Sequence, residues 1–263
     1  MTVPTAVTAP TDLALEPAEI TAPFVILSEG QWPDVPTDWP WHSHSVHELV
    51  WVRHGTMTSR VRTGDGEQLF TVQEGHAVWL PAGTPHAGQV TANVTLCDAF
   101  FSPERTPVAF HGPTVVEMTT VLEALLVHLA RPDLEDAARA RAEAVVFDVL
   151  EPAADQFVLP VPDDPRIARI IDTLLANPAH PRSLDGWARE LDISERTVTR
   201  AFRESTGLTF GRWRQSVRIR HAVILLSEGR RVHEVSDLLG YAQPSTFIAA
   251  FHRLTGRTPG ALT

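Results

Sequence analysis

Apolar and β-branched residues occur in short runs between residues 46 and 101, and each run is followed by residues that favour turns. The runs ELVWV, TSRVR, EQLFTV, AVWLP and NVTLCDAFF have the length of strands. The segments between them, such as TGDGE and AGTPHAG, are rich in Gly, Asp, Thr and Pro. Many short strands separated in this way are typical of a β-sandwich or a β-barrel. The pattern therefore predicts a β-domain over residues 1–113.

The hydrophobic pattern changes to helical spacing after residue 113. The segments VVEMTTVLEALLVHLA and DLEDAARARAEAVVFDVL each predict an amphipathic helix. The expected apolar stripes are Val116, Leu122, Leu125, Leu126 and Leu129 in the first helix and Leu134, Ala138, Arg141, Val145 and Val149 in the second. A proline-rich linker, EPAADQFVLPVPDDP, follows. We expect residues 114–163 to be a helical connection that either covers the β-domain or pairs with a second chain, and a homodimer is the sharper hypothesis.

From residue 164 onwards the pattern predicts helices that follow one another closely. RIARIIDTLLAN predicts one helix, and SLDGWARELDISERTVTRAFRESTG predicts two helices joined by a short turn. Ser183 and Ser194 are expected to cap these two helices, and Gly207 is expected to end the second. The expected buried stripes are Leu184, Trp187, Ala188 and Leu191, and then Val198, Ala201 and Phe202. The second helix then presents outward the side chains that a major-groove helix needs, namely Arg196, Thr199, Arg200 and Arg203.

A long helix, FGRWRQSVRIRHAVILLSEG, leads to a repeat of this arrangement. The segments RVHEVSDLLG and PSTFIAAFHRLTG predict two further helices, joined by the turn YAQ. Their expected buried stripes are Val232, Val235, Leu238 and Leu239, and then Phe247, Ala250, Phe251 and Leu254. The last helix offers Gln243, Ser245 and Thr246 outward and has no long basic donor before Arg253, so we expect it mainly to position the DNA backbone. An ordinary helical bundle is the alternative, but the repeated pair of short helices disfavours it.

Charge divides the chain in the same way. The sequence has no lysine; residues 1–163 contain 7 Arg and 22 acidic residues, and residues 164–263 contain 15 Arg and 10 acidic residues. A basic segment beside an acidic one indicates two domains with different partners, of which the basic one faces a polyanion. Arginine that merely solubilises a helical surface would give the same count, so charge alone leaves both interpretations open.

A histidine cluster in the β-domain carries candidate chemistry. In the stretch WHSHSVHELVWVRHG, alternation along one strand would place His42, His44 and Glu48 on the same face. The segment GHAVWLPAGTPH brings His86 after a turn. His47 has the opposite parity and His54 lies next to a turn, so both are expected in solvent or in an outer shell. Imidazole and carboxylate groups together suit Zn, Mn, Fe, Co, Ni or Cu, so these side chains are competent to bind a metal.

The two histidine segments resemble the motifs of cupins. The first fits H-x-H-x3-E-x6-G and ends at Gly55, and the second fits G-x5-P-x-G-x2-H from Gly75 to His86. Val90 stands where an asparagine often follows, so the second motif departs from the pattern at its end. The resemblance implies a cupin β-barrel in which His42, His44, Glu48 and His86 hold one metal ion.

Residues 164–263 resemble the DNA-binding domain of AraC/XylS-type transcription regulators, including the terminal pattern F…F…R…G.TP. This resemblance implies two helix-turn-helix units, joined by a long helix, that enter successive major grooves. The fold class expected for the whole chain is two-domain α+β, with a cupin barrel, a helical connection and an all-α double helix-turn-helix domain. A cupin in front of such a domain is usually the effector or oligomerisation domain.

The leading hypothesis is a sequence-specific regulator whose cupin domain binds a metal, a small effector or both. A metal-dependent cupin enzyme with a helical tail is the alternative, and an inert barrel used for dimerisation is a third. The N-terminus lacks the basic region of a signal peptide, and the single cysteine, Cys97, cannot form an internal disulfide. No apolar run reaches the roughly 18 residues of a membrane helix, so we expect a cytoplasmic protein.

Overall fold

The computed structural model describes residues 7–8, 26–31, 35–107, 110–154 and 157–262. These residues fall into two compact units, of which the first comprises residues 1–63 and 70–156 and the second residues 64–69 and 157–263. The N-terminal stretch that was weighed as a signal peptide lies almost wholly outside the described residues. Among the described residues, no helix has both the length and the apolar composition that crossing a membrane requires.

Strands dominate the first unit. In chain order the strands are β1 (Val7–Thr8), β2 (Ile26–Gln31), β3 (Thr37–His42), β4 (His47–His54), β5 (Thr56–Thr63), β6 (Gly66–Gln73), β7 (His76–Leu80), β8 (His86–Val90), β9 (Thr95–Phe101), β10 (Thr114–Glu117) and β11 (Val158–Val161). One sheet has the order β1-β3-β8-β5-β6 and the other the order β10-β7-β4-β9-β2. The five apolar runs of the sequence form β4, β5, β6, β7 and β9, which confirms a sheet-rich N-terminal region.

Two helices, α1 (Thr120–Leu129) and α2 (Asp136–Val149), cover the outer face of the second sheet. Trp51 and Trp79 of the sheet share one apolar core with Leu126 and Val146 of the helices, and all four are at most 1% exposed. Burial of such large side chains stabilises the unit by roughly 2 kcal/mol each. Of the two expectations for this segment, covering the β-domain is therefore the one that the structure shows.

Two details of this helical segment differ from the sequence prediction. Val116 lies on β10 and not on a helix, because its strand pairs antiparallel with β7 and Val116 faces Ala77. The buried residues of α2 are Arg139, Ala142, Glu143 and Val146, whereas the predicted Arg141 and Val145 are exposed. Because α2 contains many alanines and arginines, the hydropathy of its faces differs little. The predicted buried stripe is therefore displaced by one position from the observed one. Residues 114–154 thus belong to the first unit and do not form a separate connection.

Helices make up most of the second unit. They are α3 (Ala168–Ala176), α4 (Leu184–Glu190), α5 (Glu195–Thr206), α6 (Phe210–Ser227), α7 (Val232–Leu238) and α8 (Pro244–Thr255), followed by a 3-10 turn (Pro259–Ala261). The described residues from 164 onwards form only helices and this 3-10 turn, as expected for the C-terminal domain, and the unit also includes β11 and residues 64–69.

The helix ends lie where the sequence placed them. The N–H of Gly186 donates to Ser183 Oγ and that of Thr197 donates to Ser194 Oγ, both at 3.1 Å. Gly207 ends α5 with a φ of 70°, a left-handed conformation that favours glycine. These contacts confirm the predicted caps and the predicted stop.

Two apolar cores hold the helices, and α6 contributes to both of them. Trp213 and Val217 pack with α3, α4 and α5, whereas Ile219 and Val223 pack with α7 and α8. One predicted core residue is wrong: Leu238 is 54% exposed. The seven-residue α7 has one narrow buried side, which Val235 and Ser236 occupy.

Candidate functional site

A cavity of about 570 Å³, counting its open mouth, lies between the two sheets of the first unit. Its lining comes from strands of both sheets. Most of its wall is apolar and is made by Trp39, Val50, Met57, Leu80, Leu96 and Phe100. The polar side chains of the lining are His42, His44, Glu48, Ser59, His86 and Asp98. Apolar walls with convergent polar groups are typical of a site that binds and orients a small molecule.

The structure brings the four metal-ligand candidates together in this cavity. His42 ends β3, His44 follows in the connection to β4, Glu48 is on β4 and His86 begins β8. Each of the three histidines offers a ring nitrogen, and these nitrogens lie within 4.8 Å of one another. Glu48 Oε2 is 3.2 Å from His86 Nε2 and 3.7 Å from His44 Nε2.

The reason for this convergence differs from the parity argument, which was wrong about the local structure. His42 and Glu48 do not lie on one strand, because the chain leaves β3 after His42 and bends before β4 begins at His47. A backbone bond holds the bend: the N–H of Gly83 donates to the carbonyl of His44 at 2.7 Å. His42 and His86 then meet as direct partners across β3 and β8.

Hydrogen bonds to the backbone set the tautomer of two of the rings. His42 Nδ1 donates to the Pro40 carbonyl at 2.7 Å, and His86 Nδ1 donates to the Thr84 carbonyl at 2.9 Å. A carbonyl oxygen can only accept, so each Nδ1 carries the proton and each Nε2 keeps a lone pair in the neutral ring. Such backbone partners are the usual outer shell of metal-bound histidine, so this donor set fits a transition ion.

The buried acid and histidine of the cluster shift each other's protonation. Burial by itself raises the pKa of Glu48, but the bond from His86 and the charges of the neighbouring histidines outweigh it and leave the pKa below its ordinary value. Burial likewise lowers the pKa of His86, but the bond to Glu48 outweighs it and leaves that pKa raised. The carboxylate is therefore held ionised, as metal ligation requires, whereas the raised pKa of His86 favours a protonated ring that donates from Nε2 to Glu48 and must lose this proton before it can bind an ion.

Asp98 is a cavity residue that the sequence analysis missed. It lies on β9, faces the cavity and is 7% exposed. Its direct partner across the strand pair is Val50 of β4, whereas Glu48 pairs with Phe100. Asp98 is therefore one inward-facing step further along the sheet than the histidine cluster. Alternation of Leu96, Asp98 and Phe100 could have revealed it, as one acid on an otherwise apolar strand face.

His47 and His54 lie outside the cavity lining, as expected for His47 from its opposite parity and for His54 from the adjacent turn. His54 is exposed at the end of β4. His47 Nδ1 accepts from the N–H of Ala82 at 2.9 Å and its ring packs against Trp79. Ala82 belongs to the turn that leads to His86, so His47 supports that turn. Burial lowers the pKa of His47, which keeps the ring neutral and able to accept.

A second candidate surface lies on α5 in the helical unit. Arg196, Arg200 and Arg203 are exposed along it, and Thr199 is half-buried beside them. The opposite side of α5 is buried in the core. The long donors are tethered weakly: Arg200 Nε is 3.8 Å from Glu204 Oε1, and both side chains are more than half exposed. The arginines can therefore reorient towards a polyanion.

The equivalent surface of α8 is different. Gln243 precedes the helix, and Ser245 and Thr246 in its first turn are exposed. Arg253 is exposed in the last turn, and its Nη2 donates to Gln215 Oε1 of α6 at 2.6 Å. The sequence analysis also missed Ile248, which is 40% exposed on this helix.

Comparison with known proteins identifies the family to which this double arrangement of helices belongs. A family model described as a helix-turn-helix domain matches residues 187–263. The HTH-type transcriptional regulator NimR of Escherichia coli K12 is 32% identical over 228 residues, which cover 84% of this chain and 81% of NimR. The chain belongs to the AraC family of transcription regulators. The expected resemblance of residues 164–263 is thereby confirmed.

Two further proteins are similar to this AraC-family chain. RipA of Corynebacterium glutamicum is 35% identical over 122 residues, which cover 46% of this chain but only 37% of RipA. The structure of ToxT from Vibrio cholerae covers 90% of this chain and 97% of ToxT, at 11% identity and a TM-score of 0.37, too low to support an argument. As an AraC-family member the protein is a DNA-binding transcription regulator and not an enzyme, so the alternative of a metal-dependent enzyme is set aside.

Proposed function

We propose that this regulator senses a small molecule through a cupin-type N-terminal domain that holds one divalent transition metal. The observation that carries the proposal is the convergence of three histidines and a carboxylate at one cavity. His42, His44, Glu48 and His86 are the proposed ligands. The facing sheets and the spacing of the four residues support a cupin-type arrangement.

The cavity supports the second half of the proposal. With four protein ligands, a bound ion can keep a coordination position open for a donor atom of the effector. The apolar side chains around the cluster then bury the rest of the effector, and Asp98 accepts a hydrogen bond from it. The same apolar walls reduce the number of water molecules around a bound effector, which strengthens each polar contact.

On the DNA side, we propose that α5 makes the base contacts. Arg196, Thr199, Arg200 and Arg203 form its contact surface, whereas Gln243, Ser245, Thr246 and Arg253 on and before α8 contact phosphates. The protein is proposed to act as a cytoplasmic homodimer on double-stranded DNA. The exposed arginines of α5 and the exposed hydroxyl side chains of Ser245 and Thr246 in the first turn of α8 support this division.

Metal analysis of the full chain tests the proposal. Protein purified without chelator should contain one transition ion per chain, and dialysis against a chelator should remove it. Operator binding should then be compared with and without the ion. A chain that neither contains nor takes up a stoichiometric ion would contradict the metal site and leave its family assignment intact.

A further inference from the structure

The two recognition helices share one register, so their residues can be compared position by position. Both α5 and α8 have twelve residues, and each ends at a glycine with a left-handed φ, Gly207 at 70° and Gly256 at 69°. Their buried residues occupy the same positions: Val198, Ala201 and Phe202 in α5, and Phe247, Ala250 and Phe251 in α8. Every outward residue of α5 therefore has a counterpart on α8.

The outward-facing side chains of α5 are mainly arginines, whereas the side chains at the same positions of α8 are not. The positions of Arg196, Arg200 and Arg203 are taken on α8 by Ser245, Ala249 and His252, and the position of Thr199 is taken by Ile248. All four of these residues are exposed on α8. Ile248 and Ala249 together form an apolar step in the middle of a surface that is otherwise polar.

We propose that this apolar step recognises the 5-methyl group of thymine in the half-site that faces α8. The proposal rests on the proposed role of α5 and α8 as the helices that enter the major groove. The thymine methyl is the apolar group that base pairs present in that groove, and Ala and other apolar side chains contact it there. In the free protein the apolar surface of Ile248 is exposed to water, which is unfavourable. Contact with the methyl group removes that surface from water.

The same arrangement explains what α8 does not do. Without an arginine at the counterparts of Arg196 and Arg200, the helix lacks the bidentate donors that select guanine. Sequence preference in this half-site is then confined to a thymine at one or two positions. The hydroxyl groups of Ser245 and Thr246 bind phosphates beside it and add affinity without selecting a base.

The test replaces thymine by uracil, which removes the methyl group and keeps every hydrogen-bonding atom. An operator is first selected from random duplexes with the full-length protein. The half-site facing α8 is located by cleavage from an iron chelate attached to an Ala242→Cys variant, which is feasible because the single native cysteine, Cys97, is buried. Each thymine of the operator is then replaced singly by uracil, and affinities are measured by mobility shift.

We expect a loss of about two- to fivefold at one or two thymines facing α8, the size expected for one methyl group. The Ile248→Ala variant should lose most of the preference for thymine over uracil, and the Thr199→Ala variant should keep the full thymine preference in that half-site. Replacing the critical thymine by cytosine should weaken binding, and 5-methylcytosine should recover part of the loss. Thermal unfolding of each variant should match the parent, because both positions lie outside the cores.

Three outcomes separate the possibilities. Uracil losses that are equal in the parent and in Ile248→Ala overturn the methyl contact, as does an operator without any uracil-sensitive thymine facing α8. Cleavage by the tethered chelate outside any major groove would instead overturn the placement of α8, and with it the proposed division of roles between the helices.

Discussion

The two units place their functional side chains on opposite sides of the backbone. In the sheet unit, His44, Glu48 and His86 point inward and are at most 8% exposed. In the helical unit, Arg196 and Arg200 point outward from a helix whose other side is buried. The candidate ligand residues of the first unit are therefore part of its interior. The candidate DNA-contacting residues of the second unit lie outside its core and do not contribute to it.

This difference decides what a substitution can affect. A buried polar group is stabilised by its neighbours, and removing one partner leaves another buried without its hydrogen bond. Substitutions in the cavity should therefore change both ligand binding and folding. An exposed side chain contributes little to stability, usually within about 0.5 kcal/mol, so substitutions on α5 should change DNA affinity alone.

The largest effect is expected from His44→Ala. Loss of a ligand should lower metal affinity by more than the roughly 10- to 100-fold typical of an outer-shell change. The rise in Tm on adding metal should disappear, because a ligand that binds only the folded state stabilises it. Metal content by elemental analysis and thermal unfolding with and without metal measure both effects.

Two neighbouring histidines are matched controls for this variant. His54→Ala should keep its metal, since His54 is exposed outside the cavity. His47→Ala should lose about tenfold in affinity, because the turn that precedes His86 loses the acceptor for Ala82. Equal losses in His54→Ala and His44→Ala would show that the cavity is not the site.

The next effect concerns His221, a half-buried histidine beside the charge of Arg220. The pKa of His221 on α6 is lowered from 6.5 to about 4, first by burial and then by the charge of Arg220. The unfolded chain therefore binds more protons than the folded one between these values, and stability falls as the pH is lowered through this window. The loss is on the order of 2–3 kcal/mol at pH 4, at about 1.4 kcal/mol per pKa unit.

Urea unfolding followed by helical circular dichroism at pH 7 and pH 4.5 measures this dependence. The His221→Gln variant lacks the titrating ring and should lose less stability on acidification than the parent. The same acid sensitivity in both proteins would rule out His221 as its source. This test sharpens the comparison of the two units, because the pKa of His86 beside Glu48 is raised whereas that of His221 is lowered.

A smaller effect is expected on α5. Arg196→Ala or Arg200→Ala should weaken operator binding by about 10- to 100-fold and relax base preference, because each removes donors worth about 1–3 kcal/mol of discrimination. The Tm should stay within the error of measurement. Arg189→Ala is the matched control, because Arg189 is exposed on α4 and pairs with Asp185. Unchanged binding in both α5 variants would contradict the placement of the base-contacting helix.

The smallest effect is expected at the start of α8. Thr246→Ala should weaken binding by only about two- to threefold and to the same extent on operator and unrelated DNA, because a phosphate contact carries no sequence information. Mobility shifts on both duplexes at two salt concentrations check this. A strong loss restricted to the operator would show that Thr246 contacts a base.

Local signals in the sequence were sufficient for much of the helical unit. Ser183, Ser194 and Gly207 act on the backbone within a few residues of themselves, so their roles could be predicted without knowing any neighbour. The exposure of Leu238 could not be predicted, because more than one set of residues on a seven-residue helix could be buried. The packing of α7 decides which set is. The same applies to Ile248, whose exposure depends on how α8 lies on its core.

In the sheet unit the decisive partners are distant along the chain. Val116 follows helical spacing, but pairing with β7 makes it a strand residue. The spacing of the histidine motifs pointed to the four residues that the cavity brings together, whereas strand parity gave the wrong path for the chain between them. Asp98 was missed because its significance depends on the facing sheet, which no single segment reveals.

On the proposed placement of α5 and α8 in two major grooves, the long helix α6 sets the spacing between the DNA half-sites. Its 18 residues span about 27 Å, and its side chains belong to both apolar cores. It can neither stretch nor bend without opening one of them. The major groove recurs every 10 to 10.5 base pairs, about 34 Å, so one inserted base pair moves the second half-site along the duplex and rotates it around the axis by about a tenth of a turn. Genomic sites for this regulator should therefore vary in sequence but share a single length.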